Sequence, residues 1–138
     1  MAKDDAAMEA TGRKFVDGHN RRDIEALCEL TAPDIAFHPT SLAGGERVYR
    51  GHEGLRRWVD HLNESRIVHQ AQIREVRALD DNRLMILTNV LVDGELVTEA
   101  AMLAWMTDDG RIAEIHAYLS DEEMLRKVGV LPSGEARP

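Results

Sequence analysis

Between Leu84 and Leu119 the chain is a series of hydrophobic runs parted only by Asp93-Gly94 and by Asp108-Asp109-Gly110. Asp-Gly tolerates the left-handed backbone of a two-residue hairpin turn, and so short a link can join only antiparallel neighbours. In the first run Leu84, Ile86, Thr88, Val90 and Val92 alternate with Met85, Leu87, Asn89 and Leu91. Both sets are largely apolar, which predicts a strand covered on both faces. Glu95 to Thr107 and Arg111 to Leu119 supply the next two strands. Upstream, Arg66 to Leu79 reads as a long strand whose phase slips between Ile73 and Val76, and Asp80–Asn82 turns the chain into the next run. Such a slip predicts a β-bulge and local curvature.

The N-terminal part has the helical period instead. Met8, Thr11/Gly12, Phe15 and His19 mark one stripe over Asp4 to His19. Asp23 is placed to cap a short second helix with Ile24, Leu27 and Cys28 on one face. Pro33 ends that helix, and "DIAFHPT" reads as a strand. The turn-rich stretch 41–51 holds a possible strand at Arg47–Tyr49. Leu55, Trp58, Val59 and Leu62 then give a third helix one buried face. Asp121 to Val128 reads as a closing helix with Gly129 at its end. The order predicts an α+β fold: a curved mixed or antiparallel sheet forming a cone, with helices packed on the concave face. Residues 1–130 form one domain and 131–138 a loose tail. The mouth of such a cone is a natural small-molecule pocket.

Charge and composition narrow the partners. Lys and Arg number 17 against 25 Asp and Glu, a formal charge of −8. That balance repels polyphosphate and excludes nucleic acid as the expected partner. No run approaches the roughly 18 apolar residues that span a bilayer, so no membrane partner is expected. The first ten residues carry no apolar signal core, and the single cysteine, Cys28, cannot form an internal disulfide. The expected location is the cytoplasm.

Three segments carry a family resemblance: "FVDGHNRRDIEALCELTAPDIAFHP" (Phe15–Pro39), "VYRGHEGLRRWVDHL" (Val48–Leu62) and "DDGRIAEIHAYLSDEEML" (Asp108–Leu125). With the meander between them, they resemble the nuclear transport factor 2-like superfamily, in its SnoaL-like group. That group includes ketosteroid isomerases, polyketide cyclases and limonene epoxide hydrolases. The resemblance implies the cone fold, a pocket for a small hydrophobic ligand, and commonly a homodimer formed through the outer sheet face. It also exposes departures. Phe15 stands where ketosteroid isomerases carry an oxyanion-donor tyrosine, and a phenyl ring cannot donate to an enolate. No arginine lies between Leu84 and Met106, so the Asp–Arg–Asp device of the epoxide hydrolases is not supported. Where relatives end "Y-x-D", this chain has Tyr118-Leu119-Ser120. Ser120 with Glu123 instead fits a helix capping box.

His38, His116 and Tyr118 are the candidate catalytic residues. His38 lies near the position of the isomerase base, and an imidazole titrating near neutrality suits that role. His116 and Tyr118 share one face of the last strand, where the family commonly looks into the cavity. Packing at the sheet edge is the alternative. Phe15, His19, Tyr49, Trp58, Glu99 and Trp105 are the candidate pocket residues. For Glu99 the sheet face decides between a desolvated carboxylate and a solvated charge. Local spacing offers no metal motif, and neither metal nor organic cofactor is expected. Two functions stay open: a cofactor-independent acid–base enzyme (isomerase, cyclase, dehydratase or hydrolase) on a small hydrophobic substrate, or a non-catalytic ligand-binding or dimerisation domain.

Overall fold

The computed structural model describes residues 5–40, 45–65 and 69–119. The elements run α1 (Asp5–Arg21), α2 (Ile24–Leu30), β1 (Thr31–His38), β2 (Tyr49–Arg50), α3 (Gly51–Glu64), β3 (His69–Ala78), β4 (Arg83–Val92), β5 (Glu95–Met106) and β6 (Ile112–Tyr118). The expected closing helix, its Ser120 cap and the tail fall outside the described residues. The strands form one sheet in the order β2-β1-β6-β5-β4-β3. Among the described residues only β1 and β6 pair in parallel; the other neighbours are antiparallel. The fold is therefore α+β, with an unclosed, cone-like sheet as expected. No helix among the described residues is long and apolar enough to cross a membrane.

Local chemistry sets the element ends. Asp23 caps α2, its carboxylate accepting the Ala26 N–H at 3.1 Å. Asp93 and Gly94 both take positive φ, 52° and 84°, and turn β4 into β5 as the sequence demands. The strand at 34–40 expected from the sequence starts earlier, at Thr31, because Thr31 is buried and its hydroxyl donates to the Leu27 carbonyl at 2.8 Å. The phase slip in β3 is a bulge, with pairing shifted between Ile73 and Glu75.

The core lies between the helices and the inner face of the sheet. It takes Phe15 and Val16 from α1, Leu55 and Trp58 from α3, and Ile86 and Ile115 from the strands, all at most 3 % exposed. Burying each such aliphatic side chain contributes about 1.5–3 kcal/mol. Two glycines permit the close approach of helix to sheet. A Cβ on Gly12 would lie 2.6 Å from Leu84 Cδ2, and one on Gly54 only 2.7 Å from the carbonyl carbon of Tyr49. A second, smaller apolar cluster (Met85, Leu87, Ala101 and Leu103, with Trp105 and Tyr118 packed on it) occupies the opposite face of the sheet. Both faces of β4 are buried, as its double apolar pattern requires.

Candidate functional site

A cavity opens between α1, α3 and the inner face of the sheet. The empty space it encloses together with the open solvent at its mouth is about 560 Å³. Phe15, Phe37, Val90, Ala100, Met102 and Ala117 make most of its wall, and the polar groups on it are few: His19, Thr40, Trp58, His69 and Thr88. This apolar lining with a handful of polar groups is the usual constitution of a small-molecule site.

The polar groups are held by the end of α1. Asn20 pairs with the backbone of β3 as a strand would: its Nδ2 donates to the Ala71 carbonyl at 2.7 Å and its Oδ1 accepts the Ala71 N–H at 2.9 Å. Arg22, at positive φ (58°), donates to the carbonyls of His19 at 2.9 Å and His69 at 2.8 Å. The "HNRRD" break is thus a clamp that brings α1 to the start of β3. It sets His19 and His69 at 6.2 Å between ring centroids and His19 at 5.8 Å from Trp58. The two-way pairing of Asn20 leaves Oδ1, not Nδ2, facing His19 Nδ1 at 3.4 Å. That long contact favours the Nδ1–H tautomer and leaves the lone pair on Nε2.

The electrostatics keep these imidazoles neutral. Burial, with the Arg22 charge and His69 adding to it against the Asn20 contact, pushes His19 down to about 4. Burial and Arg22 likewise lower His69, with a further push from His61. Trp58 Nε1 and both ring nitrogens of His69 are buried with no hydrogen-bond partner among the described residues. Unpaired buried groups of this kind are rare and costly, each worth about 1–3 kcal/mol.

The sequence candidates divide between the two faces of the sheet. Phe15, His19 and Trp58 line the cavity. Tyr49 does not; its ring is core, 1 % exposed, and its hydroxyl accepts the Glu46 N–H at 2.9 Å. Glu99, exposed, and Trp105 lie on the outer face. His116 and Tyr118 also point away from the cavity, whose wall is made by Ala117 between them. The cause is a bulge. Trp105 pairs with Glu114 but Met106 with Ile112, so Ala113 is an extra residue that flips the phase of β6. Ile115 and Ala117 turn inward, and Glu114, His116 and Tyr118 outward. His38 is outward too, opposite His116 in the parallel β1–β6 pair.

These outward residues nevertheless converge. The imidazoles of His38 and His116 stack at 3.9 Å and 11°. Glu114 Oε2 lies 2.5 Å from His116 Nε2 and 3.7 Å from His38 Nε2. Burial and His116 lower the pKa of His38, against the pull of Glu114. The sequence does not single out His69, because nothing local marks a histidine at a strand start. It missed Glu114, whose partners come from a strand distant in sequence.

The family model for the SnoaL-like domain matches residues 12–115. Among curated proteins none matches significantly. Solved structures share the fold at low identity. One, from Kribbella flavida and assigned as a ketosteroid isomerase, is 18 % identical with TM-score 0.68, covering 86 % of this chain and 81 % of its own. One from Sinorhizobium meliloti, assigned as a polyketide cyclase, is 20 % identical with TM-score 0.63, covering 78 % and 93 %. TerC, co-crystallised with polyporic acid, is 16 % identical with TM-score 0.68, covering 86 % and 95 %.

Proposed function

The chain belongs to the SnoaL-like domain family, and from that premise we propose that it is a small-molecule pocket protein. Its reaction is cofactor-independent proton transfer on a small hydrophobic carbonyl compound. The observation that carries this reading is the set of polar atoms without a partner among the described residues, Trp58 Nε1 and the His69 ring, buried on the wall of an apolar cavity. A bound oxygen that accepts the indole N–H removes a desolvation cost the free protein bears. The base is His19, neutral well below pH 7 and holding its lone pair on Nε2. It takes the proton from the carbon that lies between the carbonyl and a β,γ C=C bond, so that the anion is a dienolate and the double bond can shift when the proton returns. The electron pair moves onto the carbonyl oxygen, where the Trp58 N–H stabilises the charge, and the proton returns at a different carbon. His69 is the second donor or acceptor beside the same substrate. Thus the base and donor come from α1 and α3, not from His38, His116 and Tyr118.

A second reading, binding without turnover, is favoured by the depth of the His19 shift, since an imidazole at about 4 is a weak base unless the developing anion raises it. A thermal-shift screen with cyclic enones and hydroxyaryl ketones tests the pocket, because a ligand of the folded state alone must raise the melting temperature. His19→Gln then separates the readings. Isomerisation of a binding enone that disappears in His19→Gln supports catalysis; binding with no turnover in either protein supports the second reading. A screen with no binder contradicts both. The outer sheet face, with its second apolar cluster, is the expected homodimer surface, and a monomer in sedimentation equilibrium contradicts that part.

A further inference from the structure

We propose that His38, Glu114 and His116 form a divalent transition-metal site on the outer face of the sheet, one residue step away from the cavity wall. One ligand atom from each side chain lies within 4.8 Å of the other two. Two neutral imidazoles and a carboxylate suit zinc and its neighbours in the transition series better than calcium or magnesium, which prefer all-oxygen sets. Around an ion with bonds of about 2.0–2.2 Å, tetrahedral ligand atoms stand about 3.3 Å apart. The observed contacts of the carboxylate oxygen, 2.5 Å to His116 and 3.7 Å to His38, bracket that spacing.

The scaffold explains why the three side chains come together. Parallel pairing fixes His38 beside His116, and the bulge at Ala113 turns Glu114 and His116 to the same side. Trp105 meets His116 edge-on at 5.4 Å and limits its swing. A metal ion lies in the plane of each imidazole that binds it, whereas these rings are parallel. Binding therefore requires one ring to tilt out of the stack. In the single chain the side chains of His38 and His116 are 28 % and 29 % exposed, which leaves room on one side for that movement. Three protein ligands leave a fourth position for water or a small anion.

The site faces away from the cavity, so its test is independent of the proposed reaction. Protein without an affinity tag is stripped with EDTA and titrated with Zn²⁺ by calorimetry and with Co²⁺ by visible absorption. One equivalent of Zn²⁺ and visible d–d absorption of bound Co²⁺ are expected. Glu114→Gln, close in shape, and His38→Ala each weaken Zn²⁺ binding by at least about tenfold, while His52→Gln, outside the cluster, binds as the parent does. The proposal is overturned if the parent protein binds no stoichiometric Zn²⁺, or if Glu114→Gln and His38→Ala bind it unchanged. The Co²⁺ spectrum of the parent protein needs no variant, so a folding defect in one leaves the test decisive.

Discussion

Acidification should destabilise this protein through His19 in a way one substitution can isolate. The unfolded imidazole titrates at 6.5, and burial in the cavity wall pushes the folded one down to about 4. A depressed folded pKa means that the unfolded chain takes up the proton first. The stability linked to His19 is complete above pH 6.5 and drains away as pH falls toward 4. Between pH 7.5 and 4.5 the two binding curves differ by a free energy of about 2.5 kcal/mol. With a urea slope of roughly 1.5 kcal/mol/M, that is a midpoint shift of between about 1 and 2 M. Burial lowers His69 as well, so the parent protein alone cannot assign the loss. His19→Gln can. Urea unfolding of both proteins at pH 7.5 and 4.5 should show the variant losing less stability on acidification by about that amount. Equal losses in the two proteins would refute the buried, neutral His19 on which the proposed base depends.

Trp58→Phe keeps an aromatic ring and removes an unpaired buried donor. The melting temperature should hold or rise, while affinity for a cavity ligand falls by roughly 5–30-fold, about 1–2 kcal/mol; calorimetry reads the second and thermal denaturation the first. Asn20→Ala strips both partners from the Ala71 backbone and should cost about 1–3 kcal/mol in urea unfolding. Gly12→Ala forces a methyl to within 2.6 Å of Leu84 Cδ2. Overpacking should cost about 1–3 kcal/mol, and an unchanged urea midpoint would contradict the close packing of α1 on β4.

The meander was legible because turn chemistry and period-two alternation are local signals. Asp93-Gly94, the slip after Ile73 and the double apolar pattern of β4 all gave their true structure. The burial of Phe15, His19 and Trp58 was legible because helical stripes name the face that must be buried. The faces of β6 were not. One extra residue, Ala113, inverts the inward set from Glu114, His116 and Tyr118 to Ile115 and Ala117. Alanines at 113 and 117 suit either face, so no polarity signal marks the bulge. The meeting of His38 with His116 depends on the one parallel strand pair, a long-range pairing that no local spacing encodes. Glu99 and Trp105 shared one face as the alternation required, but alternation cannot say which side of the sheet that face is on.

The chain's two tryptophans sit on opposite faces of the sheet, Trp58 on the cavity wall and Trp105 on the outer cluster. Their indole N–H resonances in a ¹H–¹⁵N spectrum therefore report separately on the two candidate surfaces. Titration with a hydrophobic cyclic enone should move the Trp58 resonance downfield as its unpaired N–H gains an acceptor, and leave Trp105 in place. Movement of Trp105 with Trp58 unchanged would put the small-molecule site on the other side of the sheet and contradict the cavity as the functional centre.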